Sequence, residues 1–151
     1  MEDISLHVMD IAENSITGGA TKIEVQIVED HTSRRLLIVL GDNGRGMDEE
    51  ELEKALDPFY TSKEGKRIGL GLPLFRQTAV ESGGEMNVVS TPGNGTEIRA
   101  WFDLDHPDIR PLGDIEGTVN LLKAFHPEVE FTYRHEHKVS SGQGGQDEVK
   151  T

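Results

Sequence analysis

Asp10 and Asn14 stand four residues apart in a segment of helical periodicity, so both side chains reach one region of space. A carboxylate and an amide oxygen are hard ligands, suited to Mg²⁺ and its waters. His7 shares their flank, whereas Glu13 points about 100° away from Asn14. Asp42 opens the stretch Asp42-Asn43-Gly44-Arg45-Gly46-Met47, directly after an apolar run. A carboxylate at a strand end can accept a hydrogen bond from an exocyclic amine, worth about 1.5–3 kcal/mol when buried. The two glycines let backbone approach a flat ligand closely. Lys63, Lys66 and Arg67 place three cations within five positions, and Gly69 and Gly71 follow them into a helix. The free N–H groups and partial positive charge of a helix N-terminus attract phosphate. Thr96, after Gly95, opens a further strand with a hydroxyl that could share a water with Asp42. Taken singly, these are also what a surface pair, an Asx turn, a solvated loop and a strand start look like.

The elements that must hold these residues follow from periodicity. Ile4, Val8, Ile11, Ala12 and Ser15 fall on one face of a helix over 3–15, which Gly18-Gly19 ends. Ile23, Val25 and Ile27 alternate along a strand over 22–29, and Leu36 to Leu40 reads as a strand buried on both faces. A short helix over 48–56 has an acidic, solvated first turn and stops at Asp57-Pro58. Tyr60 to Gly71 is a loop, Leu72 to Ser82 a helix closed by Gly83-Gly84, and 85–90 with 96–102 a hairpin, with Trp101 and Phe102 in the core. Further on, 106–112 reads as a connector, 113–125 as a helix and 129–134 as a strand. His135 and His137 would share one strand face, two metal ligands without a third. The order predicts one sheet with its helices on one face.

The chain of 151 residues carries 15 Lys and Arg against 28 Asp and Glu, a formal charge of -13. Such a balance argues against nucleic acid and against anionic membranes as partners. The absence of cysteine rules out disulfides, thiolate nucleophiles and Cys-ligated zinc. With no apolar run of signal-peptide or membrane-spanning length, the expected compartment is the cytoplasm.

Taken together and in this order, the four groups resemble the motifs of the GHKL superfamily, which includes the gyrase ATPase, heat-shock chaperones, histidine kinases and the mismatch-repair ATPase. Asp10-Ile-Ala-Glu-Asn14-Ser is similar to the N box, Asp42-Asn-Gly-Arg-Gly46 to the G1 box and Gly69-Leu-Gly71-Leu to the G2 box. The resemblance runs from about Ile4 to Phe102 and rests on the ordered set, since each motif alone is weak. Glu13 to Val25 looks like the mismatch-repair ATPase. Asp57 to Lys63, Arg67 to Leu72 and Ser90 to Thr96 look like a sensor histidine kinase.

The resemblance implies an α+β fold, a two-layer sandwich of the Bergerat type with a mixed, mostly antiparallel sheet covered on one face by helices. It implies ATP and Mg²⁺ as cofactors. Asn14 would hold Mg²⁺, and Asp42 would bind the adenine amine with Thr96 supporting through water. Gly44, Gly46 and Met47 would line the adenine pocket. Lys63, Lys66 and Arg67 would lie on a lid near the phosphates, which Gly69, Leu70 and Gly71 would cradle. Asp10 stands where most relatives have a Glu general base. Its side chain is one methylene shorter, a displacement that can cost ~10²-fold in rate.

The expected organisation is an ATP-binding domain over 1–102, a C-terminal extension over 103–137 packed on it, and a disordered tail over 138–151. The phospho-acceptor helix that precedes the N box in histidine kinases has no counterpart here, so a kinase of this kind would act on a separate protein, at histidine or serine. The alternatives are an ATP-driven clamp, which would work as a homodimer, and a non-catalytic nucleotide sensor in a partner complex.

Overall fold

The computed structural model describes residues 3–59, 71–139 and 148–150. Its elements are α1 (Ile4–Thr17), β1 (Lys22–Asp30), β2 (Arg35–Asp42), α2 (Glu49–Leu56), α3 (Gly71–Glu81), β3 (Glu85–Ser90), β4 (Thr96–Asp103), α4 (Ile115–Phe125), β5 (Glu130–Lys138) and β6 (Glu148–Lys150). The strands form one sheet in the order β3-β4-β2-β1-β5-β6. All neighbours are antiparallel except β1 and β5. This is the mixed, mostly antiparallel α+β sheet that the resemblance implies.

Period-two alternation explains why the sheet has a covered face. Ile23, Val25 and Ile27 of β1 align with Asp42, Leu40 and Ile38 of β2, and Leu40, Ile38 and Leu36 align with Ile98, Ala100 and Phe102 of β4. Apart from Asp42, these side chains are all buried, so they form one apolar surface. On it α1 lays Ile4, Val8 and Ile11, α3 lays Phe75 and Ala79, and α4 lays Ile115, Val119 and Leu122. The three helices lie side by side, with α1 between α3 and α4. Ala79 and Ala100 apart, burial of these side chains contributes roughly 1.5–3 kcal/mol each.

His7 belongs to this core. It is buried, stacks on Phe75 at 5.5 Å, and meets the Thr78 hydroxyl through Nε2 at 3.0 Å. Phe75 in turn lies 5.9 Å from Phe102. The histidine on the helix border thus couples α1 to α3 through Thr78.

Two expectations are corrected. β2 is covered on one face only, since Leu37 and Val39 are half-buried while Leu36, Ile38 and Leu40 are buried. An unbroken apolar run therefore does not require two covered faces here. Trp101 is not core: it lies on the opposite face of β4 from Phe102, half-exposed, with the Arg35 guanidinium 4.4 Å above its ring.

The connector after β4 serves the first helix. Asp3, at the N-cap of α1, makes no side-chain capping bond. The carbonyls of Pro111 and Leu112 instead accept from the N–H groups of Ile4 and Ser5, at 2.9 and 3.0 Å, meeting the need that every helix start creates. β5 then pairs along the whole of β1. β6 pairs with β5 from within the segment expected to lack structure. Among the described residues, no helix is long and apolar enough to cross a membrane.

Candidate functional site

At one end of the sheet the covered face opens into a cleft of about 290 Å³. Ile11, Asn14 and Ser15 reach it from α1, Asp42 from the end of β2, and Gly44, Gly46 and Met47 from the following loop. Ala55 of α2, Leu72 of α3, and Thr96 and Ile98 of β4 complete much of its lining. The walls are largely apolar, with a few polar groups converging, the usual make-up of a small-molecule site.

Strand register sets the polar floor. Asp42 aligns with Thr96 on β4, and Thr96 aligns with Ser90 on β3. Three polar side chains therefore cross the sheet in one row at the strand ends. Thr96 and Ser90 share a hydroxyl–hydroxyl bond of 2.8 Å, and the Met47 N–H donates to the Ser90 hydroxyl at 2.8 Å.

Asp42 is fixed from two directions. The Ser15 hydroxyl donates to its Oδ2 at 2.8 Å, and the Gly44 N–H donates to its Oδ1 at 2.8 Å. An ionised carboxylate has about four acceptor positions, so these two bonds orient the group and leave capacity for a ligand. The neighbouring Asn43 turns the other way. Its Oδ1 accepts from the Thr21 and Lys22 N–H groups at 2.8 and 2.9 Å, which pins the loop to the start of β1.

Two glycines make the loop and hairpin close. Gly46 has φ +71°, and a Cβ there would overlap the Thr91 carbonyl. Gly95 has φ +79°, and a Cβ there would overlap the carbonyl of Asp42 itself. Any side chain at either position would need both a disfavoured backbone and a shift of main chain. The Gly93 N–H also donates to the Arg45 carbonyl at 2.7 Å.

Asp10 and Asn14 lie on α1, one turn apart, at the border of its buried face. Gly71, at the start of α3, packs directly against them. A Cβ at position 71 would lie 3.1 Å from Asn14 Nδ2 and 3.9 Å from Asp10 Cβ. Asn14 lines the cleft with Asp42, and Asp10 sits beside it outside the lining. Glu13 turns away, pairing with His126 Nε2 at 3.0 Å beyond the end of α4. Asn14, Asp42, Gly44, Gly46, Met47, Gly71 and Thr96 are thus brought to one end of the molecule. Lys63, Lys66, Arg67, Gly69 and Leu70 lie outside the described residues.

Ser15 and Ser90 are among the site residues that sequence reasoning missed, along with apolar lining such as Ile11, Leu72 and Ile98. Ser15 carried a signal, because a hydroxyl in line with Ile4 and Ile11 on an apolar helix face must find a partner. Ser90 opened the Ser90 to Thr96 stretch that resembles a sensor histidine kinase, but nothing in that stretch singled out its hydroxyl.

Residues 2–106 match the family model described as histidine kinase-, DNA gyrase B-, and HSP90-like ATPase. The chain is 33% identical over 120 residues to the DNA mismatch repair protein MutL of Halobacterium salinarum, covering 74% of this chain and 18% of that protein. It is 34% identical over 96 residues to sporulation kinase C of Bacillus subtilis, covering 64% of this chain and 22% of the kinase. It is 27% identical over 89 residues to the sensor histidine kinase YxdK of Bacillus subtilis, covering 56% and 27%. The chain spans less than a third of the length of each of these relatives. With the family model matching well over half of it, the chain belongs to the histidine kinase-, DNA gyrase B- and HSP90-like ATPase family, as an ATP-binding domain.

Proposed function

We propose that the cleft binds Mg·ATP and that the domain is the nucleotide-binding and phosphotransfer module of a protein kinase acting on a separate partner, at a histidine or serine. The observation that carries the reading is the setting of Asp42. Its carboxylate is held by Ser15 and Gly44 at the polar end of an otherwise apolar slot, as a flat base with one exocyclic amine requires. In this reading adenine lies between Met47 and Ile98 with its amine on Asp42, and Thr96 supports through water. Gly44 and Gly46 give the ring room.

Asn14 holds the metal. Glycine at 71 keeps space open beside the Asn14 amide, which fits a hydrated Mg²⁺ with a phosphate chain reaching towards the start of α3. Bound there, the ion offsets phosphate charge. Gly69, Leu70 and Gly71 cradle the phosphates, and Lys63, Lys66 and Arg67 belong to the segment that joins α2 to α3. Asp10, one turn before Asn14, is the general base towards the acceptor hydroxyl or imidazole.

Isothermal titration with ATP, ADP and GTP, with and without Mg²⁺, tests the nucleotide reading. Asp42→Asn should lose roughly tenfold to a hundredfold in ATP affinity, the equivalent of about 1.5–3 kcal/mol. Asn14→Ala should abolish the gain in affinity that Mg²⁺ confers. Equal affinity for ATP and GTP in the unsubstituted chain would overturn the assignment of Asp42. Transfer of label from γ-labelled ATP to candidate partners tests the kinase step, and no transfer to any of them would count against it.

The likeness to MutL favours a second reading, an ATP-driven clamp. It requires a nucleotide-dependent dimer, which light scattering with a non-hydrolysable ATP analogue would reveal.

A further inference from the structure

The far end of β1, opposite the cleft, carries a second cluster of chemistry. The parallel register places Ile27 beside His135 and Glu29 beside His137, so both histidines project on the same face as Glu29. The β1–β2 turn brings in His31, whose N–H donates to the Lys138 carbonyl at 2.7 Å. The Glu29 Oε2 lies 2.7 Å from His137 Nδ1, 3.5 Å from His135 Nε2 and 3.9 Å from His31 Nε2. His31 Nε2 and His137 Nδ1 are 3.3 Å apart.

We propose that Glu29, His31 and His137 form a binding site for a borderline divalent transition ion, Zn²⁺ by preference, with His135 beside them on Glu29. Ligands at about 2.0–2.2 Å around a tetrahedral ion stand roughly 3.3 Å from one another. The three edges of the Glu29–His31–His137 triangle, at 2.7, 3.3 and 3.9 Å, bracket that spacing. Among the described residues, the buried His135 Nε2 has no hydrogen-bond partner. Its other ring nitrogen meets the Tyr133 hydroxyl at 3.3 Å, which fixes the ring beside the Glu29 carboxylate.

Ring stacking holds the imidazoles of the cluster together. His135 and His137 stack at 4.7 Å, and His137 and His31 at 5.5 Å. A donor set of nitrogens with one carboxylate oxygen selects Zn²⁺, Co²⁺ or Ni²⁺ over Mg²⁺. The Arg34 guanidinium lies 3.5 Å from His31 Nδ1 and pairs with Asp105 at 3.1 Å. The His31 and His137 side chains are 38% and 39% exposed, so an ion can reach them. Bound there, it would clip the β1–β2 turn to β5, independently of nucleotide.

The test is titration of the full chain, purified without a histidine tag and free of nucleotide, with Zn²⁺ and separately with Co²⁺. One equivalent of Zn²⁺ should bind in the presence of excess Mg²⁺, and Co²⁺ should give the visible bands of a four-coordinate nitrogen and oxygen site. His31→Ala and His137→Ala should each weaken binding at least tenfold, while His106→Ala leaves it unchanged. His31 lies in a surface turn, so its variant reports binding even if His137→Ala fails to fold. Absence of stoichiometric Zn²⁺ binding, or equal binding by His31→Ala and His106→Ala, would overturn the proposal.

Discussion

A serine hydroxyl on α1 sets the orientation of the carboxylate assigned to adenine. Ser15 donates to Asp42 Oδ2 and also lies 3.1 Å from the Ile11 carbonyl of its own helix. In Ser15→Ala the helix keeps its backbone bonds, but Asp42 loses one of its two tethers. A bond to a charged group is worth about 1.5–3 kcal/mol, and part of it is recovered when water replaces the hydroxyl. ATP affinity should therefore fall roughly tenfold with little change in melting temperature. Titration calorimetry paired with a thermal melt separates the two effects. A variant that melts much lower but still binds ATP normally would show that Ser15 serves packing instead. Asp42, Asn14 and the glycines around them stood out in the sequence through the order of their motifs along the chain, each motif being weak alone. Ser15's partner was not, since no rule of periodicity says which strand end an apolar-face hydroxyl will meet.

Elements differ in how firmly they are tied down. α2 starts with a reciprocal cap: Asp48 accepts from the Glu51 N–H at 2.8 Å and the Glu51 side chain accepts from the Asp48 N–H at 3.1 Å. None of its residues is fully buried. α3, by contrast, drives Phe75 into the core between His7 and Phe102. Asp48→Ala should cost about 1 kcal/mol of local helix stability, seen as faster amide exchange in α2 with the global transition nearly unmoved. Phe75→Ala should cost about 3–5 kcal/mol and lower the denaturant midpoint of the whole domain. Similar midpoints for both variants would mean that α2 unfolds only with the core. The acidic first turn and Asp57-Pro58 marked α2, and Gly83-Gly84 the end of α3, to within a few residues. Trp101 misled, because an aromatic beside Phe102 in a strand must take the opposite face, here the open one.

The whole molecule carries a formal charge of -13, and self-repulsion opposes its compact state. Its surface ion pairs, such as Lys54 with Glu50 at 3.1 Å, contribute little individually, about 0–1 kcal/mol. Raising salt from about 10 to 150 mM shortens the screening length from about 30 to 8 Å. The melting temperature should therefore rise over that range, and rise further with Mg·ATP at a hundred times its Kd, by about 2.7 kcal/mol of added stability. Scanning fluorimetry across a salt series checks both; a melting temperature that falls with salt would mean that local pairs outweigh the net charge. The layer order of the fold was readable from patterning. The meeting of Glu29 with His135 and His137 was not, because it depends on which strand becomes the neighbour of β1.

That neighbour comes late. Lys22 aligns with Glu130 and Asp30 with Lys138, partners more than a hundred positions apart. During synthesis β1 can zip to β2 almost at once, but its other rail of N–H and C=O groups stays bare until β5 leaves the ribosome. Bare strand edges recruit other chains, and pairing across such separations is slow. Each newborn copy of this domain therefore passes through an interval when one rail of β1 is bare, and that interval closes when β5 docks.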